Sequence, residues 1–219
     1  VLDLASEQGR AALMRLAGDC DVFVENFRPG VAKRLGIGPE DIRVARPDVI
    51  YCSISGWGQS GPNSTRGAYD HVIQAATGMM ALQGSHAGDP PIKVGFPVID
   101  IATGISAAEA ILAALIRRLR GDASPITLDV SMIDCALALM SGPAANTLAS
   151  GKAPERVGNR GFVGSPGAET FATSDGHISV AANTMGQFTI LCGLLGRPEL
   201  AKPPHVPADL PAGAFLADT

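Results

Sequence analysis

The sequence predicts an α/β fold: a largely parallel sheet with flanking helices, followed by part of a smaller second domain. Three observations carry this expectation. Up to about residue 150, short β-branched runs alternate with helical stretches, the order typical of a parallel sheet covered by helices. From Gly151 onward the texture changes to a glycine-rich loop and a hairpin signal, as at a domain boundary. The length of 219 residues suits one domain, or one and a piece of a second, and 46% hydrophobic against 17% charged residues supports a real core. The expected division is 1–152 and 153–219.

Each element has a local reason. Ser6 is placed to cap a helix over 7–17, with Leu13, Leu16 and Ala17 on its apolar face and Gly18 after it. Residues 21–25 (DVFVE) read as a short buried strand, and Asn26-Phe27-Arg28-Pro29-Gly30 as the turn leaving it. A short helix over 31–35 ends at Gly36. Pro39 opens another over 39–45. Residues 49–54 are rich in β-branched side chains and form the second strand. A loop from Gly56 to Pro62 precedes a helix over 69–82, and 84–97 is irregular. The longest helix spans 98–119 and stops at Gly121. A third strand covers 126–130, and Ser131 caps a helix through Met140. Residues 156–167 form a glycine-rich loop. Strands over 170–173 and 177–181 flank Asp175-Gly176, a strong hairpin signal. A last helix covers about 185–195.

Composition narrows the function. A net charge of −4 argues against a broad nucleic-acid surface or a basic membrane face. The four cysteines, at 20, 52, 135 and 192, form no CxxC pair and the four histidines are scattered, so neither a metal site nor a disulfide framework is supported. A reducing cytoplasm fits. The most apolar stretch, 98–116, is interrupted by Asp100 and Glu109 and reads as a buried helix, not a membrane span. The chain opens without an initiator Met and closes on a proline-rich tail, which raises the expectation of a larger protein around it.

Four places hold side chains suited to chemistry. Asp100 begins the long helix, where free N–H groups and the helix dipole favour a carboxylate; an ordinary N-cap has the same look. Tyr69-Asp70-His71 opens a helix after a glycine-rich loop, and Asp70 again suits a plain cap. Arg28, Lys33 and Arg34 sit near two turns and suit anionic phosphates, or simply a solvated face. The loop Gly158–Gly167 can close over a ligand or merely connect domains, and it has neither Walker nor dinucleotide-binding spacing. There is no G-x-S-x-G elbow and no H-E-x-x-H.

Taken together, the motifs are more specific. The run Asp21 to Gly30 (DVFVENFRPG) resembles the D-V-x-x-E-N-F-R-P-G segment of the family III CoA-transferases, the CaiB/BaiF group that includes formyl-CoA transferase and α-methylacyl-CoA racemase. The likeness continues through Ile54 to Pro62 (ISGWGQSGP), Ala68-Tyr69-Asp70, Gly78-Met79-Met80, Asp100 with its helix, Leu128 to Asp134 (LDVSMID), Phe171 to Gly176 (FATSDG) and Leu195 to Leu200 (LGRPEL). It spans nearly the whole chain to about Leu200.

The resemblance implies a CoA-transferase with Asp100 as nucleophile, passing through aspartyl anhydride and aspartyl-CoA intermediates. It implies CoA contacts at Val31, Arg34, Leu35, Tyr69 and Asp70. It also implies a glycine loop with oxyanion donors at Gly164, Ser165 and Gly167. No tightly bound cofactor is expected; coenzyme A and acyl-CoA are substrates, and small carboxylic acids are partners. Family members form interlocked homodimers, expected here only for a complete protein. They are about twice this length, so the chain reads as the middle of a two-domain enzyme. Racemases carry His where Tyr69 stands, and His71 is two positions away, about 200° around a helix. That favours transferase over racemase, with an inactive CoA-binding fragment as the non-enzymatic alternative. Ala5 and Gly67 depart from basic positions near the cofactor in some relatives.

Overall fold

A computed structural model describes residues 1–86, 88–122, 124–161 and 166–206. In chain order the elements are α1 (Glu7–Gly18), β1 (Val22–Glu25), α2 (Val31–Arg34), α3 (Pro39–Ala45), β2 (Ile50–Ser55), α4 (Asp70–Ala76), α5 (Met79–Leu82), α6 (Val98–Leu119), β3 (Ile126–Ser131), α7 (Met132–Leu139), α8 (Ser141–Ser150), β4 (Gly167–Ala172), β5 (His177–Ala182) and α9 (Met185–Leu194). The chain divides into two compact units. One comprises Val1–Ala81 and Ile92–Pro154, the other Leu82–Pro91 and Glu155–Thr219.

The first unit is built on a three-stranded sheet of order β1-β2-β3, parallel throughout. The middle strand is the most buried: Ile50, Tyr51 and Cys52 are fully shielded, as expected where a parallel strand has neighbours on both edges and cover on both faces. Ala17, Ile37, Ile42, Val49 and Tyr51 form one core cluster, with Leu4, Leu13, Phe23 and Leu35 packed against it. Tyr51 stacks on Phe23 with ring centroids 5.3 Å apart, and its hydroxyl donates to the Ile37 carbonyl at 3.0 Å. The predicted caps at Ser6 and Ser131 form: Ser6 Oγ accepts the Gly9 N–H at 3.0 Å, and Ser131 Oγ accepts the Asp134 N–H at 3.2 Å.

Two expectations change, and one helix appears that the sequence left unassigned. The helix foreseen over 69–82 is two short helices, because Gly78 takes φ +80° and ends the first run. Residues 141–150 are helical although Gly142 and Pro143 look like breakers. Pro143 falls in the first turn, where its missing N–H has no intrahelical partner to lose. The long helix is buried on one face only. Ile99, Thr103, Ala107 and Ala114 face inward, whereas Ile101, Ile105, Leu112 and Ile116 form an exposed apolar stripe. By length and composition α6 is apolar enough to cross a membrane; here it packs on β2, β3, α4 and α7.

The second unit holds the antiparallel hairpin β4-β5, paired from Gly167–Ala182 to Ala172–His177. A Thr184–Gln187 capping box opens α9. Met185, Cys192, Ala201 and Val206 form its small core.

Candidate active site

A cavity of about 610 Å³ opens in the first unit, at the carboxyl ends of the parallel strands. This is where open parallel sheets place their ligand sites. The turn after β1 contributes Asn26, Phe27, Arg28 and Pro29, the end of β2 contributes Ile54 and Ser55, and Met132 follows β3. The loop after β2 adds Arg66, Ala68 and Tyr69. The first two turns of α6 add Asp100, Thr103 and Gly104.

Asp100 is the only carboxylate among these lining residues. It is not the cap of its helix. Pro97 occupies the N-cap, with no side chain able to accept a hydrogen bond, and Asp100 stands three residues further in. The free N–H groups of this first turn are met from elsewhere. Asp70 Oδ2 accepts the Ile99 N–H at 2.7 Å and the Asp100 N–H at 3.1 Å. Asp70 is therefore not the cap of α4 either; Tyr69 holds that position in extended backbone, and Asp70 is the first helical residue. Asp100 is exposed overall, yet the desolvation its carboxyl meets at the cavity wall, and then the nearby Asp70 charge, push that carboxyl upward from the ordinary aspartate value. A carboxylate in that state is a stronger base and nucleophile once ionised.

Two cations share the cavity wall with Asp100. Arg28 comes from the turn after β1, and its Nη2 lies 3.2 Å from where a Cβ would stand at Gly67. The lack of a side chain at Gly67 thus leaves room for a guanidinium from another loop. Arg66 lies over the Trp57 ring, 4.9 Å from its centroid, and its Nη1 reaches Asn63 Oδ1 at 3.4 Å. Arg66 was not anticipated. The only signal for it is a basic residue inside a loop of Gly, Ser, Asn and Thr just ahead of Tyr69-Asp70.

The remaining predicted residues are placed as follows. Tyr69 lines the cavity and is largely exposed. Its ring lies parallel to that of His71, centroids 6.1 Å apart, because Tyr69 precedes the helix and the 200° separation does not apply to it. His71 itself is exposed and does not line the cavity. Val31, Arg34 and Leu35 lie on or just beyond α2, outside the lining; Arg34 is exposed and Leu35 packs on the core. Gly164 and Ser165 lie outside the described residues. Gly167 is the first residue of β4, buried in the second unit. A Cβ there would come within 2.9 Å of the Ala182 Cβ and 3.0 Å of the Phe188 ring, so close packing requires the glycine.

Comparison with known proteins agrees with this architecture. Residues 1–209 match CoA-transferase family III. The chain is 37% identical over 199 residues to the succinyl-CoA:glutarate CoA-transferase of Mus musculus, covering 91% of this chain and 45% of that protein. It is 41% identical over 198 residues to the succinate–glutarate CoA-transferase of Agrobacterium fabrum, covering 90% and 48%. The crystal structure of a CaiB/BaiF family protein from Brucella suis superposes with a TM-score of 0.80 at 38% identity, covering 93% of this chain and 53% of that one. The chain thus spans about half the length of the relatives it matches. It belongs to CoA-transferase family III.

Proposed function

We propose that the protein moves CoA from an acyl-CoA thioester to a small dicarboxylic acid, with Asp100 as the nucleophile. The observation that carries this reading is the cavity that Asp100 shares with Arg28 and Arg66. One carboxylate there attacks, and two guanidiniums attract anions.

An Asp100 oxygen adds to the thioester carbonyl, the C–S bond breaks, and CoA leaves as thiolate with a mixed anhydride in its place. The thiolate then attacks the Asp100 carbonyl, expelling the donor as its free carboxylate and leaving an aspartyl-CoA thioester. The acceptor carboxylate attacks that thioester and releases thiolate once more. Attack of the thiolate on the acceptor's acyl carbonyl forms the new acyl-CoA and regenerates Asp100. The thioester's activation is conserved at each step, and one hard exchange becomes several easier ones. No net proton is taken up, so an ionised Asp100 and no separate general base suffices. Dicarboxylates fit because the carboxylate not being exchanged needs a cation. The names of the mouse and Agrobacterium relatives specify succinate and glutarate, acids of this type.

The test is incubation with succinyl-CoA followed by hydroxylamine and peptide mass spectrometry. A hydroxamate on Asp100, absent from Asp100→Ala, is the expected result. An unlabelled Asp100 together with an active Asp100→Ala variant overturns the reading. Rapid deuterium wash-in at the acyl α-carbon without CoA transfer would instead indicate a racemase.

A further inference from the structure

We propose that Asp70 is the positioning residue for Asp100: its carboxylate caps the N-terminus of α6 from a different helix, leaving the Asp100 carboxylate free to face the cavity. The inference rests on Asp100 being the reacting carboxylate.

The geometry is a chain of four hydrogen bonds. Val94 N–H donates to Gln74 Oε1 at 2.8 Å, and Gln74 Nε2 donates to Asp70 Oδ1. Ile99 N–H and Asp100 N–H both donate to Asp70 Oδ2. Gln74 is fully buried, and Asp70 and Gln74 are four residues apart, hence on one face of α4. One face of α4 therefore grips both the segment leading into α6 and the first turn of α6 itself.

The alternative arrangement shows why this matters. A helix start without a capping side chain leaves N–H groups unpaired, and an acidic residue in the first turn tends to fold back to meet them. Asp100 stands at the third helical position, but the cap is Pro97, which has no N–H to receive such a return, so only the other N–H groups of the first turn can draw its carboxylate. With Ile99 and Asp100 N–H already taken by Asp70, that pull on Asp100 is weakened. Asp70 also sets a second negative charge near it, opposing the helix dipole that would otherwise make Asp100 a weaker nucleophile.

Among the described residues, the other charged and titratable groups to set beside Asp100 line its cavity or sit on elements packed against α6. Tyr69, Arg28 and Arg66 line the same cavity. From the packed elements, α7 brings Asp134, engaged by Ser131 at its own helix start, and β3 brings Asp129, whose Oδ2 accepts the Gln59 N–H at 2.9 Å.

The experiment compares the wild-type chain with Asp70→Asn and Asp70→Ala, without any acyl-CoA. Carboxyl-carbon NMR titration follows Asp100, and amide hydrogen exchange follows Ile99 and Asp100. Asp70→Asn keeps an acceptor oxygen but removes the charge. It should retain protection of both amides while the Asp100 midpoint falls toward the ordinary aspartate value. Asp70→Ala removes both functions, and exchange at the two amides should accelerate about fivefold, the effect of losing a helix cap. An Asp100 midpoint unmoved in Asp70→Asn, or amide protection unchanged in Asp70→Ala, overturns the proposal. Because no substrate is present, a failed hydroxamate experiment on the wild type sinks the transferase reading without touching this result, and the reverse also holds.

Discussion

The guanidinium of Arg66 lies 4.9 Å from the centre of the Trp57 ring while also forming part of the wall around Asp100. The aromatic face limits the orientations of an otherwise exposed arginine. On the function proposed above, its planar fork is thereby preorganised for the acceptor's carboxylate. Replacing Arg66 with Ala should raise KM for a dicarboxylic acceptor about tenfold or more, the scale of a charge-assisted hydrogen bond. Trp57→Leu keeps the charge but frees the side chain, and should raise KM about two- to fivefold. Neither change should matter as much for a monocarboxylic acceptor. Equal losses for both acids would show that Arg66 does not read the second carboxylate.

Gly56 and Ala68 meet where two parts of the cavity wall cross. A Cβ at Gly56 would stand 2.1 Å from the Ala68 Cβ, and the Gly56 carbonyl accepts the Ile133 N–H at 3.1 Å. Backbone must move to admit even a methyl group. Gly56→Ala should cost about 1–3 kcal/mol in denaturant unfolding and lower kcat/KM, since Ala68 is next to Tyr69 on the wall. The double variant with Ala68→Gly should recover much of both losses. A strictly additive pair would place the damage elsewhere.

Much of the scaffold was legible because its signals are local. The β-branched run around β2, the Asp175-Gly176 turn and the capping serines 6 and 131 each act within a few residues. The site was harder. Asp100 and Asp70 both stood out, but each looked like a cap for its own helix. Only the approach of α4 to α6, a contact between residues thirty apart, shows that one caps the other. Arg66 was missed for a related reason: an arginine in a polar loop looks solvated until Trp57 is placed beneath it. Helix α8 drew no assignment from the sequence, where Gly142 and Pro143 weaken the helical pattern, although a proline in the first turn costs a helix no hydrogen bond.

Tyr51 links the sheet to the turn after α2. Burial, with Glu25 and Asp41 nearby, pushes its phenol far above the ordinary value of 10.0. A raised native pKa means that the neutral phenol stabilises the fold fully below about pH 10, and that this is lost as pH climbs through the native value. Tyr51→Phe keeps the stack on Phe23 but leaves the Ile37 carbonyl without its hydroxyl donor, which should cost about 1 kcal/mol at pH 7. The two proteins' melting temperatures should converge as pH rises above about 10, because only the wild type has this phenol to ionise. A gap that stays constant over that range would contradict the assignment.

The proposed nucleophile, Asp100, should also be a weak point in the fold. Asp100 titrates above the ordinary aspartate value of 3.8, first because it is partly desolvated and second because Asp70 lies near. The sign follows directly. A carboxyl whose native pKa is raised favours folding while protonated, and that contribution fades as pH rises through the native value. At neutral pH the ionised side chain therefore opposes folding. Asp100→Asn removes the charge with little change in shape, so it should melt at a higher temperature than wild type at pH 7. The difference should shrink as the pH is lowered into the acid range and the wild-type carboxyl regains its proton. Transfer should fall at least about a thousandfold, as expected when a covalent nucleophile is lost. Thermal melts at neutral and acid pH, with a transfer assay on the same samples, test both halves. An Asn variant no more stable than wild type at pH 7, or a stability gain that grows toward acid, would show that the site does not hold Asp100 in an unfavourable ionised state.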